Sequence, residues 1–171
     1  MKKEIKCTIS ETLAQASAFF CLIPVAIIYA ISGLNLEAAS ENIFSLFMTI
    51  ILVFVGIPVH EFLHGFGWIV TAGKSFSEYT FGFHFPIKAF ICFDGMMSIK
   101  AFRFGLLLPC IVLGVLPLLL SLILGNIYLF LFASLHFVSA GSDIVVFLKS
   151  LGHNGKCYDS KGETGIIIVH E

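Results

Sequence analysis

IFSLFMTIILVFVGIPVHEFLHGFGWIV, residues 43–70, is the stretch that decides how this chain must fold. It exceeds the ~20 apolar residues that cross a bilayer, yet His60, Glu61 and His64 stand in its second half. Ionisable side chains crowded into one turn of a lipid-embedded helix are costly, and by default they mark a functional interior site. His60 and His64 are four residues apart, so both imidazoles lie on one helical face and can share one metal ion. Glu61 stands about 60° around the helix from His64, where its carboxylate can reach a water beside that metal.

The rest of the chain has the composition of a protein dissolved in lipid. Of its 171 residues 58% are hydrophobic and only 12% charged, with a mean hydropathy of +0.99, whereas soluble domains carry about a quarter charged residues. Three more apolar segments, 13–32, 104–124 and 127–148, reach spanning length. Pro24, Pro58, Pro109 and Pro117 fall inside the four segments, which bilayer helices tolerate when neighbours satisfy the freed carbonyls. Gly125-Asn126 leaves room only for a tight turn between the last two. The expected fold is an all-α membrane protein of four transmembrane helices, a single domain over residues 1–171. Lys2, Lys3 and Lys6 precede the first segment as in a signal peptide. No convincing small-x-small cleavage site follows, so the segment is read as a retained span. A net charge of −1 gives no basis for a nucleic-acid partner. Cys7, Cys21, Cys92, Cys110 and Cys157 are never spaced Cys-x-x-Cys and are read as incidental thiols.

Lys and Arg set the orientation. With four spans, Lys2, Lys3, Lys6, Lys74, Lys88, Lys100, Arg103, Lys149, Lys156 and Lys161 share one side, while loops 33–42 and 125–126 have no basic residue. The positive-inside rule then puts both termini and the central loop in the cytoplasm of an integral cell-membrane protein. Within that loop the odd positions from Tyr79 to Phe93 are apolar and the even ones include Thr80, Gly82, His84 and Lys88. This period of two predicts a strand. Asp94-Gly95 supplies a turn, and Met97, Ile99 and Ala101 resume the alternation. A membrane-associated β-hairpin over 79–101, its aromatic face dipping into the interface, is therefore expected between spans two and three. Residues 166–169 read as one further strand in the tail.

A catalytic zinc needs a third protein ligand and an open position. The extended motif HExxHxxGxxH matches at Gly67 but fails at Val70, so that ligand must come from another segment. Span four supplies His136 and Asp143, seven residues apart and hence on nearly the same helical face. Asp143 lies at a depth similar to His64, in the cytoplasmic half, and is the expected third ligand. Gly65 and Gly67 against Ala140, Gly141 and Ser142 would allow close approach of the two spans. His136 is a hydrogen-bond donor at the zinc site, an oxyanion stabiliser or a helix-packing polar residue. His84, His153 and His170 read as surface residues.

HExxH on an early span, a hairpin-bearing loop and Gly141-x-Asp143 on the last span resemble the small bacterial putative zincin membrane peptidases, a family similar to the site-2 intramembrane metalloproteases. The resemblance covers residues 43–148. It implies Zn2+ held by His60, His64 and Asp143, Glu61 as catalytic base, and a membrane protein or peptide substrate presented as an extended strand against the hairpin. The site-2 Asn-Pro-x-Asp-Gly sequence and a PDZ domain are absent from this chain. The competing readings are a non-catalytic zinc-binding membrane sensor or scaffold and, less well matched, a metal transporter. Pro58, two residues before His60, is expected to kink span two and admit water to the metal.

Overall fold

The apolar segments fold into helices, several of them limited by short polar caps. A computed structural model describes residues 3–73, 75–84, 88–160 and 163–170. Lys2, Lys74, Phe85, Ile87 and Lys161, used above for topology and alternation, lie outside the described residues, as do the side chains of Lys3, Phe83, His84, Lys88, Ala89 and His170. Helix α1 (Glu11–Ser32) is capped by Ser10, whose side chain accepts from the Leu13 N–H at 3.2 Å. The short α2 (Ala38–Glu41) leads into α3 (Ile43–Ala72), where Asn42 accepts from the Ser45 N–H at 3.0 Å. Such caps satisfy amides that the first turn leaves without partners. Helix α3 is continuous through Pro58, which lies on its exposed side.

The third apolar stretch is one helical run, Ile99–Leu124, made of α4 (Ile99–Pro109), a π-helical stretch (Cys110–Val115) and α5 (Leu116–Leu124). In the π stretch the Leu116 N–H bonds the Ile111 carbonyl five residues back. Pro109 and Pro117 bracket it, and each withdraws an amide from the ordinary ladder. Gly125, at φ +61°, turns the chain, and the Asn126 side chain caps α6 (Ile127–Ser139) by accepting from the Leu129 N–H at 3.0 Å. Helix α7 (Gly141–Ser150) follows at 45° to α6. The expected straight fourth span is therefore bent, at the small residues Ala140, Gly141 and Ser142.

Helices α1, α3 and Ile99–Leu124 are each long and apolar enough to cross a membrane, and α6 with α7 makes a fourth if the bent pair is one span. Their outer faces carry Phe19, Ile31, Phe44 and Ile123 at 68–80% exposure. A continuous apolar exterior of this kind suits lipid rather than water.

The fold is mostly helical but not all-α. Strands β1 (Lys3–Ile9), β4 (Met97–Ser98), β5 (Lys156–Asp159) and β6 (Thr164–His170) form an antiparallel sheet in the order β1-β6-β5-β4. The lysine-bearing start that resembles a signal peptide is thus a strand registered against the tail, Cys7 opposite Ile166. This sheet gathers the chain before α1, before α4 and after α7 at one end of the bundle. At the other end the Tyr128 hydroxyl donates to the Ala38 carbonyl at 3.3 Å, tying α6 to α2. At the sheet end Arg103 on α4 donates to the Ser150 hydroxyl and to the Ser150 and His153 carbonyls, closing the C-terminus of α7. All five cysteines are free, and burial pushes the Cys157 thiol up to about 12.

The hairpin exists, with its turn elsewhere. Strand β2 (Tyr79–His84) pairs antiparallel with β3 (Lys88–Phe93), Tyr79 opposite Phe93 and Phe81 opposite Ile91, so the two arms of the hairpin both precede Asp94-Gly95. In that register cross-strand partners keep the same parity and share a face, so the alternation runs on from β2 to β3 and reads as one strand. Asp94-Gly95 instead leads into β4, in the other sheet. Ile99 and Ala101 are helical because Ser98 caps α4, accepting from the Ala101 N–H at 3.2 Å. Span three accordingly begins at Ile99 rather than Phe104. Tyr79, Ile91 and Phe93 are buried with Trp68 of α3 in the main hydrophobic core, so much of the face expected to enter the lipid interface packs on α3 instead.

Two glycines set the tightest helix crossing. A Cβ on Gly67 would stand 2.6 Å from the Gly105 Cα, and one on Gly105 would stand 2.2 Å from Trp68 Cδ1 and 2.9 Å from the His64 carbonyl oxygen. Gly105→Ala should therefore destabilise the bundle by about 1–3 kcal/mol, read as a lower thermal midpoint in detergent. Ile123→Ala, on the 80% exposed outer face, should leave the midpoint in place. An unshifted midpoint for Gly105→Ala would contradict this crossing.

Candidate metal centre

The centre assembles from three helices and one strand. Helix α3 presents His60 and His64 a turn apart, both buried, with ring centroids 4.8 Å apart and the rings nearly perpendicular. From α7, Asp143 Oδ2 lies 3.0 Å from His60 Nε2 and 3.5 Å from His64 Nε2. Asp143 is in the first turn of α7, where the helix dipole favours a negative charge. From α4, the Gly105 carbonyl lies 3.0 Å from His64 Nδ1. That contact places a proton on Nδ1 and fixes the ring plane as metal-binding histidines require, with Nε2 turned towards Asp143. The His64 ring also stacks on Trp68 at 5.7 Å and 14°, and Trp68 Nε1 donates to the Phe102 carbonyl at 3.1 Å.

Glu61 completes the cluster. One carboxylate oxygen and one nitrogen from each histidine all lie within 4.8 Å of one another. The same carboxylate lies beside the backbone of Ile91 on β3. The hairpin is seated there because α3 has no side chain at Gly65, whose Cβ would stand 2.6 Å from Ile91 Cδ1.

These donors fit a zinc ion. Ligand atoms at the usual 2.0–2.1 Å from zinc, at tetrahedral angles, stand about 3.4 Å apart. The separations of 3.0 and 3.5 Å from Asp143 Oδ2 to the two imidazole nitrogens bracket that edge. Two neutral nitrogens and one carboxylate form a common catalytic zinc set. Glu61, within 4.8 Å, could also reach a metal or stand beside it.

Of the residues singled out from sequence, the structure brings His60, Glu61, His64 and Asp143 together, with His136 one turn along α3. His136 lies over Gly56, where an added Cβ would be 2.1 Å from its Nε2. The glycines expected to bring α3 against span four have other partners: Gly65 meets the hairpin, Gly67 meets Gly105, and Gly141 meets Ser17 and Ala18 of α1. Gly56 makes the α3–α6 approach instead. The bend at Ala140 also voids the single-helix reasoning that put His136 and Asp143 on one face, although both side chains do meet α3. His153 is partly exposed beyond α7. Sequence reasoning missed Trp68, the Gly105 carbonyl and the Ile91 backbone, and only the spacing of Gly56 one turn before His60 offered a signal for the His136 socket.

Asp143→Ala should weaken zinc binding by at least about tenfold, read from competition with a chelating dye, because it removes a carboxylate oxygen that lies 3.0 and 3.5 Å from the two imidazoles. Unchanged affinity and stoichiometry would remove Asp143 from the metal's ligands. No curated protein and no solved structure matches the chain. Residues 53–158, more than half of it, match the family described as putative zincin peptidase, and the chain belongs to that family.

Proposed function

We propose that the chain is a membrane-embedded zinc peptidase that hydrolyses peptide bonds near the cytoplasmic membrane face, in the manner of site-2 proteases. The observation that carries this reading is the placing of Asp143 Oδ2 against both motif imidazoles with Glu61 alongside. His60, His64 and Asp143 would hold the zinc. When bound, zinc polarises the scissile carbonyl and acidifies a water. Glu61 takes the proton from the attacking water and returns it to the leaving amine. A purely structural zinc site has no use for such a carboxylate, which weighs against the sensor or scaffold.

Four spans would put both termini on one side of the membrane, and the charge distribution makes that side the cytoplasmic one. The sheet joins the flanks of α1, α4 and α7 at one end of the bundle, as an even number of crossings requires. Lys6, Lys100, Arg103, Lys149 and Lys156 all belong to that end, whereas loops 33–42 and 125–126 carry no basic residue. Substrate would enter as an extended strand along β3. Strand β3 pairs with β2 along one edge, and its Ile91 backbone lies beside Glu61. Strand addition there would satisfy backbone groups that lipid cannot.

The test is the full chain in lipid nanodiscs, loaded with zinc and offered a library of quenched-fluorescent extended peptides. Wild type should cleave, and Glu61→Gln should lose at least about a hundredfold in turnover while keeping its zinc. A zinc-loaded wild type that cleaves nothing, or a Glu61→Gln variant as active as wild type, would contradict the reading.

A further inference from the structure

His136 is 3% exposed, and its Nε2 has no hydrogen-bond partner. A buried polar atom left without a partner destabilises the fold unless something else engages it. Its surroundings point to what that is. The ring sits against Gly56, the only residue type that leaves room for it, since any Cβ there would overlap Nε2 and Cε1. Gly56 is four residues before His60, hence on the same face of α3. Helical side chains lean towards the N-terminus, so the His60 imidazole leans towards the turn that His136 covers. Glu61 stands on the side of β3, and His136 reaches α3 from α6 one turn before His60. Ser134 also has a buried, unpartnered hydroxyl, but two residues away it faces about 200° around α6.

We propose that His136, with its proton on Nε2, donates a hydrogen bond to the scissile carbonyl oxygen as that oxygen gains negative charge. The proposal rests on the zinc-peptidase reading and adds to it the second side chain that touches the reacting atoms. A donor held unpaired in a water-poor site can stabilise developing charge without the cost of reorganising. The unpartnered Nε2 is then a feature of the resting protein that substrate completes.

The decisive variants are His136→Phe, which keeps a ring over Gly56 without a donor, and His136→Gln, whose amide nitrogen reaches the place of Nε2. In nanodiscs, with zinc content measured, His136→Phe should lose about a hundred- to a thousandfold in kcat with KM changed by less than about threefold. His136→Gln should recover at least about tenfold of that loss. A phosphinic peptide, which mimics the tetrahedral oxygen, should bind the zinc-loaded Phe variant about a hundredfold more weakly, while acetohydroxamate, which needs only the metal, binds as before. The thermal midpoint of the zinc-free Phe variant should equal or exceed wild type, because an unpaired polar atom has gone. A Phe variant with kcat within about threefold of wild type, or with undiminished affinity for the phosphinic peptide, would overturn the proposal and leave His136 a packing residue. A wild type that holds zinc and cleaves nothing would instead overturn the peptidase reading, so the two failures are told apart.

Discussion

A carboxylate lodged between two imidazoles inside an apolar bundle is the contact on which the remainder of this structure depends. Asp143 could not stay charged among lipid-facing helices without partners, since a lone charge in such surroundings is expensive and is retained only where it is paired or serves function. His60 and His64 meet it from α3 at 3.0 and 3.5 Å, and the start of α7 adds its dipole. Each neighbouring device keeps these groups in register. Gly141 lets α7 press on Ser17 and Ala18 of α1, Arg103 ties the far end of α7 to α4, and the Gly67–Gly105 crossing brings the Gly105 carbonyl to His64. The bend at Ala140 follows from the same demand, because it lets α6 cover Gly56 while α7 aims Asp143 at the turn beyond.

The hairpin and the larger sheet do different work. The four-stranded sheet is a clasp that joins chain segments separated by the whole bundle, burying Cys7, Cys157, Ile166 and Ile168 at its centre. The β2–β3 hairpin is smaller and lies directly over the site, pinned by Trp68 stacking on Tyr79 at 6.1 Å and by Ile91 filling the gap above Gly65. A strand so placed brings backbone hydrogen-bonding groups beside Glu61, in a region where an extended peptide would otherwise find none.

Much of this was legible in the sequence for physical reasons. Spans are legible because bilayer thickness imposes length, and the centre because ionisable residues in apolar helices have few explanations. His60, Glu61, His64 and Asp143 were singled out on that ground and do meet. What escaped the sequence depends on partners far away in the chain. Strand β1 is lysine-bearing and short, so only its pairing with β6 makes it a strand. The hairpin turn was masked by a register in which both strands keep the same parity. The destinations of Gly56, Gly65, Gly67 and Gly141 could not be assigned, since a glycine signals close approach without naming what approaches.

The central claim is that His60, His64 and Asp143 together hold a zinc ion. Zinc K-edge X-ray absorption on the full chain, purified with its metal, examines that coordination directly. The account predicts a shell made wholly of nitrogen and oxygen at about 2.0–2.1 Å, with the outer scattering of two imidazoles. A sulfur scatterer at about 2.3 Å would place a cysteine at the metal and contradict the ligand set, as would the outer scattering of fewer than two imidazoles.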